Sequence, residues 1–166
     1  MIAPPTPPNE EYRLAALYSA CLLDTPPEAA FDLITRLTAR ICRTKIALLT
    51  LVDRDRQWFK SRHGLLIEET PRLFSFCAHA IQGRDLLEVT DATQDERFWD
   101  NPLVQKGPKI RFYAGMPVHT TGGYCLGTLC VIDDTPRHLS EQQRTHLQSF
   151  ARQIERHIQW QSHFLS

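Results

Sequence analysis

The spacing of apolar residues changes repeatedly along this chain, and each change marks an element. Leu14, Leu17, Tyr18 and Cys21 recur at helical intervals and predict a helix over 10–23. The run Asp24-Thr25-Pro26-Pro27-Glu28 ends it and opens another. Thr25 fits an N-cap, Pro26 the first helical position, and Glu28 the reciprocal half of a capping box. Phe31, Ile34, Leu37, Thr38 and Ile41 carry the second helix to about 43. From 45 to 53 the pattern becomes a solid apolar run, as in a central strand buried on both faces. A partner strand follows over 57–61, with Trp58 and Lys60 on one face and Phe59 and Ser61 on the other.

Beyond a connector over 65–72, residues 73–81 read as helical and 86–90 as a short strand. Residues 91–107 read as a polar loop with a half-turn before Pro102. Two apolar runs then flank the Gly122-Gly123 turn, so 110–134 predicts an antiparallel pair. Its first strand sets Phe112 and Tyr113 beside Ala114 and Gly115, and bulk next to small residues leaves room for something to approach the sheet. Alternation puts Phe112 with the apolar set Ala114, Met116 and Val118, and Tyr113 with Arg111 and Gly115 toward a cavity. On the second strand Cys125 and Cys130 are an odd number apart and are expected on opposite faces, Cys130 together with Leu126, Thr128 and Ile132. Ser140-Glu141-Gln142-Gln143 is a capping box opening a last helix to about 160. Leu147, Ala151, Ile154 and Ile158 stand four, three and four apart on it. That stripe fits an a/d seam, a core-facing stripe, or first and last helices packing together in a dimeric bundle. The fold class read from this order is α+β with an antiparallel sheet.

Composition narrows the functional classes. A chain of 166 residues suits one domain, and 19 basic against 19 acidic residues gives no basic field for a nucleic-acid surface. The Pro-rich residues 1–9 are expected to be extended and flexible, 10–160 to form the domain, and 161–166 a tail or the start of a linker. Neither a secretory h-region nor an apolar run of ~20 residues is visible, so no membrane partner is expected. The cysteines number 5, with no Cys-x-x-Cys pair, and read as reduced thiols of a cytoplasmic protein. No Gly-x-Ser-x-Gly elbow, phosphate loop or His-Glu-x-x-His occurs, so no catalytic residue is assigned. No zinc spacing or calcium loop occurs either, and no metal is expected.

Many short pieces, in order, resemble one known family. They include Leu23 to Glu28, Leu51-Val52-Asp53-Arg54-Asp55-Arg56-Gln57-Trp58-Phe59-Lys60-Ser61 and Ser75-Phe76-Cys77-Ala78-His79-Ala80-Ile81. Asp95-Glu96-Arg97-Phe98, Asn101-Pro102-Leu103-Val104, Phe112 to Val118 and Leu126 to Asp133 complete the series. The chain resembles a GAF domain, of the subgroup found at the N-termini of bacterial histidine kinases and diguanylate cyclases. The resemblance implies a PAS-like sheet of five or six strands, terminal helices on one face and pocket segments on the other. It implies a sensor that binds a small molecule and relays the change through the terminal helices to a homodimer partner, or to a fused or separate kinase or cyclase output domain. The alternatives are a structural dimerisation module without ligand, and a cysteine-dependent enzyme like the free methionine sulfoxide reductases.

Candidate ligand-binding residues come from the pocket segments and the hairpin. Phe76 and Cys77 lie on the predicted helix; Asp91, Arg97 and Phe98 lie on the loop, where Arg97 could clamp a carboxylate or phosphate. Arg111, Tyr113, Gly115, Thr128 and Cys130 come from the hairpin. Cys77 also reads as a small buried hydrophobe. No cofactor is identified: the cyclic-nucleotide pattern is absent, no cysteine is followed by the His typical of bilin attachment, and His63, His79 and His119 read more readily as ordinary residues than as haem ligands.

Overall fold

The computed structural model describes residues 1–165. Six strands form one antiparallel sheet: β1 (Ile46–Val52), β2 (Arg56–His63), β3 (Glu69–Pro71), β4 (Leu87–Val89), β5 (Phe112–His119) and β6 (Cys125–Asp133). Their order is β3-β2-β1-β6-β5-β4. Every β1 residue is buried, as its run of apolar residues around Thr50 predicts. β6 closes tightly on it, because a Cβ at Gly127 would lie 1.8 Å from the Thr50 carbonyl oxygen.

Alternate residues of β1 feed two separate cores. Ala47, Leu49 and Leu51 pack under α1 (Glu10–Ser19), α2 (Ala29–Cys42) and α5 (Glu141–Leu165). Ile46, Leu48 and Val52 face the short helices α3 (Phe76–Ala80) and α4 (Pro102–Gln105) and the 3-10 turns at Arg72–Phe74 and Ala92–Gln94. The stripe Leu147, Ala151, Ile154 and Ile158 is buried in the first core, so it is spent on this chain's own sheet and not on an a/d seam. The capping box at its start forms: Gln143 N donates to Ser140 Oγ at 3.1 Å and Ser140 N to Gln143 Oε1 at 2.9 Å.

Several expectations are corrected. α1 stops at Ser19, because Cys21 and Asp24 take left-handed φ values of 53° and 59°. The capping box at Thr25 does not form; α2 begins at Ala29 without a side-chain cap. The reason is Lys60, whose side chain is fully buried. Its Nζ donates to Thr25 Oγ1 at 2.7 Å and Pro26 O at 2.6 Å, and pairs with Glu28 at 2.8 Å. A buried ammonium must be surrounded by oxygens, and it takes the groups that would have capped the helix.

Two bulges reverse the strand parity. Leu49 pairs with Ser61 and Thr50 with Phe59, leaving Lys60 as the extra residue of β2. Ser61 therefore reaches α2, donating to Asp32 Oδ1 at 2.6 Å, instead of sharing the face of Phe59. Leu126 is extra on β6, between the Val118–Gly127 and His119–Cys125 pairs. Leu126 joins the helix-side core, while Cys125 packs in the same core as Cys130 and not opposite it.

The helix predicted over 73–81 is split at Ser75, and the loop over 91–107 contains a 3-10 turn and α4, which starts at Pro102 and does not stop there. α5 continues to Leu165, through most of the expected tail; Ser166 lies outside the described residues. The Pro-rich start is docked, not loose: Ile2 N donates to Arg97 O at 3.1 Å, and Gln82 Nε2 to Pro5 O at 2.6 Å. No helix among the described residues is long and apolar enough to cross a membrane.

Candidate functional site

The face of the sheet away from the long helices carries a compact group of thiols and hydroxyls. Ser75 sets it up: its Oγ accepts from Ala78 N at 2.9 Å, capping α3, and donates to Gln57 Oε1 at 2.6 Å. The capped helix lies over β6 and drops Cys77 onto Cys130, with the two sulfurs 3.9 Å apart. The hydroxyls of Thr128 and Tyr113 donate to Cys77 Sγ at 3.0 and 3.2 Å. Thr50 Oγ1 stands 3.8 Å from Cys130 Sγ. All five side chains are buried.

Burial alone would raise the Cys77 pKa, but the hydrogen bonds from Cys130, Thr128 and Tyr113 outweigh it and bring it down to about 7. Burial and the neighbouring Cys77 sulfur push the Cys130 thiol the other way, well above its ordinary value. The hydroxyl donors aimed at Cys77 thus favour ionisation there over Cys130.

The space expected beside Gly115 is real but taken. A Cβ there would lie 2.1 Å from the Tyr113 hydroxyl, so Gly115 is what lets Tyr113 fold back over its own strand and reach Cys77. A cavity of about 30 Å³ remains above Cys77 and Tyr113, walled by Phe59, Phe76, Ile132 and Gln57 and rimmed by Leu65, Ile67, Leu103 and Pro108. Phe76 stacks on Phe98 with ring centres 3.9 Å apart and forms one side of it.

The loop residues do other work. Asp91 Oδ1 caps the turn at Ala92–Gln94 by accepting from Thr93 N and Thr93 Oγ1. Asn101 caps α4 through Leu103 N and ties it to the Phe74 carbonyl at 3.1 Å. Arg97 makes a bidentate pair with Asp95, at 2.9 and 2.7 Å, and lies over the Phe98 ring, so its guanidinium is engaged within the loop. Arg111 donates to the Val104 and Ile110 carbonyls, bracing α4 on the sheet instead of facing the cavity with Tyr113. Of the ten sequence candidates, Phe76, Cys77, Tyr113, Thr128 and Cys130 come together; Phe98 and Gly115 support them, and Asp91, Arg97 and Arg111 hold the surrounding segments. Thr50 and Gln57 were missed, although a lone hydroxyl in an otherwise apolar strand was a readable signal for Thr50.

The GAF domain family model matches residues 26–158. A cyclic di-GMP phosphodiesterase of Pseudomonas aeruginosa is 46% identical over 155 residues, which is 93% of this chain and 26% of that protein. The chain therefore spans about a quarter of the length of the curated relative it matches. Among solved structures, the GAF domain of an Acinetobacter phosphoenolpyruvate-protein phosphotransferase superposes with a TM-score of 0.65 at 17% identity, covering 93% of this chain and 96% of that one. A free methionine-R-sulfoxide reductase from Neisseria meningitidis, solved with its substrate, superposes at 0.64 with 16% identity, covering 90% and 87%. These two likenesses speak to the fold alone.

Proposed function

This chain belongs to the GAF domain family, and on that premise we propose that it is a regulatory sensor whose pocket takes up a small signal and whose terminal helices pass the change on. The observation that carries the reading is the cavity itself. It lies between the sheet and a lid of short pieces: α3, α4 and the connectors that carry Leu65, Ile67 and Pro108. Such a lid can rearrange at less cost than the long-helix layer. A ligand that prefers one lid arrangement shifts a two-state equilibrium toward it, in proportion to its differential affinity. The likeness to a cyclic di-GMP phosphodiesterase supports an output module of cyclic di-GMP turnover, fused or separate. A second copy of this chain, joined through the terminal helices, would be the partner in signal relay.

The test is direct. Native mass spectrometry of the purified chain, followed by thermal-shift screening with nucleotides, amino acids and small acids, is expected to find a retained or stabilising molecule. The chain alone is expected not to hydrolyse cyclic di-GMP, and measured turnover would overturn the reading. A second reading, a structural module with a filled pocket, is favoured by the way Tyr113 occupies the space beside Gly115. Silence across the whole screen would select it.

A further inference from the structure

We propose that Cys77 and Cys130 form a peroxide-reactive dithiol that closes to an intramolecular disulfide. The inference deepens the sensory reading by naming the class of signal; its chemistry stands without that reading, while its relay rests on it.

The geometry separates the two roles. Cys77 lines the cavity, and Cys130 lies behind it on β6 with its sulfur 3.9 Å away. Two hydroxyls, from Thr128 and Tyr113, donate to Cys77 Sγ, and no ion pair or hydrogen bond brings an anionic group to it among the described residues. Donors aimed at one sulfur stabilise it as thiolate, the nucleophilic form. The cavity, at about 30 Å³, admits something the size of two water molecules. Hydrogen peroxide has that size and enters with the lid as it stands, whereas a drug-sized ligand, needing roughly ten times more space, requires the lid to rearrange. The other thiols lack this arrangement. Burial holds Cys42 and Cys125 up at about 11, and Cys21 is exposed at the end of α1.

The reaction balances with the peroxide as the sole oxidant. The Cys77 thiolate attacks one peroxide oxygen and the O–O bond breaks, giving Cys77 sulfenic acid and a hydroxide that takes up a proton to leave as water. Cys130 then attacks the Cys77 sulfur, the S–O bond breaks, and the departing hydroxide takes the Cys130 proton. In sum, two thiols and one hydrogen peroxide give one disulfide and two waters. An external thiol reverses it by exchange. Closure to a disulfide bond length draws the sulfurs together by about 2 Å. That displacement must be taken up by α3, which carries Phe76 and, through the stack, Phe98 and the loop beyond it.

The experiment treats the reduced full chain with hydrogen peroxide, quenches with an alkylating agent in denaturant, and maps peptides without reduction. A Cys77–Cys130 linked peptide that reverts with dithiothreitol is expected. Cys130→Ser should stop at a Cys77 sulfenic acid, trapped by dimedone. Thr128→Val and Tyr113→Phe should each slow the first step by roughly fivefold near neutral pH, since raising the thiol pKa by about one unit from about 7 takes the thiolate from about half to about a tenth of the molecules. Unmodified Cys77, a disulfide that uses Cys21, Cys42 or Cys125, or unchanged rates in both hydroxyl variants would overturn the proposal. Amide exchange read on the same oxidised sample separates the two claims. A disulfide without altered exchange in α5 sustains the chemistry and defeats the relay.

Discussion

The two faces of the sheet are built on different principles. The helix face is continuous: α2 and α5 lay long apolar stripes on alternate residues of β1, β5 and β6, and Phe31, Leu49, Leu129 and Leu147 are wholly enclosed. The opposite face is assembled from helices of four or five residues, each fixed by a single side-chain cap from Ser75 or Asn101, around thiols, hydroxyls and stacked rings. The first face holds the larger buried apolar cluster, and stabilisation scales with apolar surface removed from water. The second has less to lose by moving, and it is where chemistry can be placed.

The largest expected effect should break the helix face. Leu147→Ala removes a fully buried side chain at the α5–sheet contact and should cost about 2–5 kcal/mol in denaturant unfolding. A cost below that range would mean the two faces contribute alike. Next comes the charged anchor that joins them. Glu10, on α1, accepts from Arg13 Nε at 2.9 Å and from Arg72 Nη1 at 2.5 Å, at the first residue of the Arg72–Phe74 turn. Arg13 is 1% exposed, so Glu10→Gln leaves a buried guanidinium without its counter-charge and should cost about 2–4 kcal/mol.

The same anchor has a pH signature. Burial raises the Glu10 pKa, but hydrogen bonds and charge from Arg13 and Arg72 outweigh it and hold the carboxyl down at about 2, against 4.5 unperturbed. A folded pKa below the unfolded one means the stabilisation is complete above about 4.5 and disappears as pH falls toward 2. Acid unfolding between those limits should be shallower in Glu10→Gln, and an identical profile would remove Glu10 from the account.

On the pocket face, Gly115→Ala must displace the Tyr113 hydroxyl, and a cost of about 1–3 kcal/mol is expected. Loss of the Tyr113 contact with Cys77 should accompany it, seen as slower alkylation of Cys77 near neutral pH. The smallest effect sharpens the contrast: Arg97→Ala breaks a half-exposed pair with Asp95 and should change stability by less than about 1 kcal/mol. A larger loss would show that the loop is part of the structural core.

How much of this was legible in the sequence follows the same division. The helix face was read well, because long stripes such as Leu147 to Ile158 and the cap at Ser140 are local patterns. The central β1 run and the hairpin were equally plain. What failed were parity arguments across the bulges at Lys60 and Leu126, since one inserted residue reverses every face assignment beyond it. The Thr25 cap failed because its competitor, Lys60, is 35 positions away. Cys77 and Cys130 were both candidates, but their contact depends on α3 settling on β6 across 53 positions, and no spacing rule spans that. Arg97 was read as a ligand clamp and found its carboxylate two residues away.

The docked start of the chain gives the pocket an address outside itself. Ile2 holds the backbone of Arg97 by its amide, and its carbonyl meets His79 Nε2 at 3.1 Å, on the helix that carries Cys77. A fluorophore or affinity handle placed ahead of Ile2 is therefore not a neutral label. It is attached one residue from the lid, and its anisotropy should report whether the cavity is open or shut.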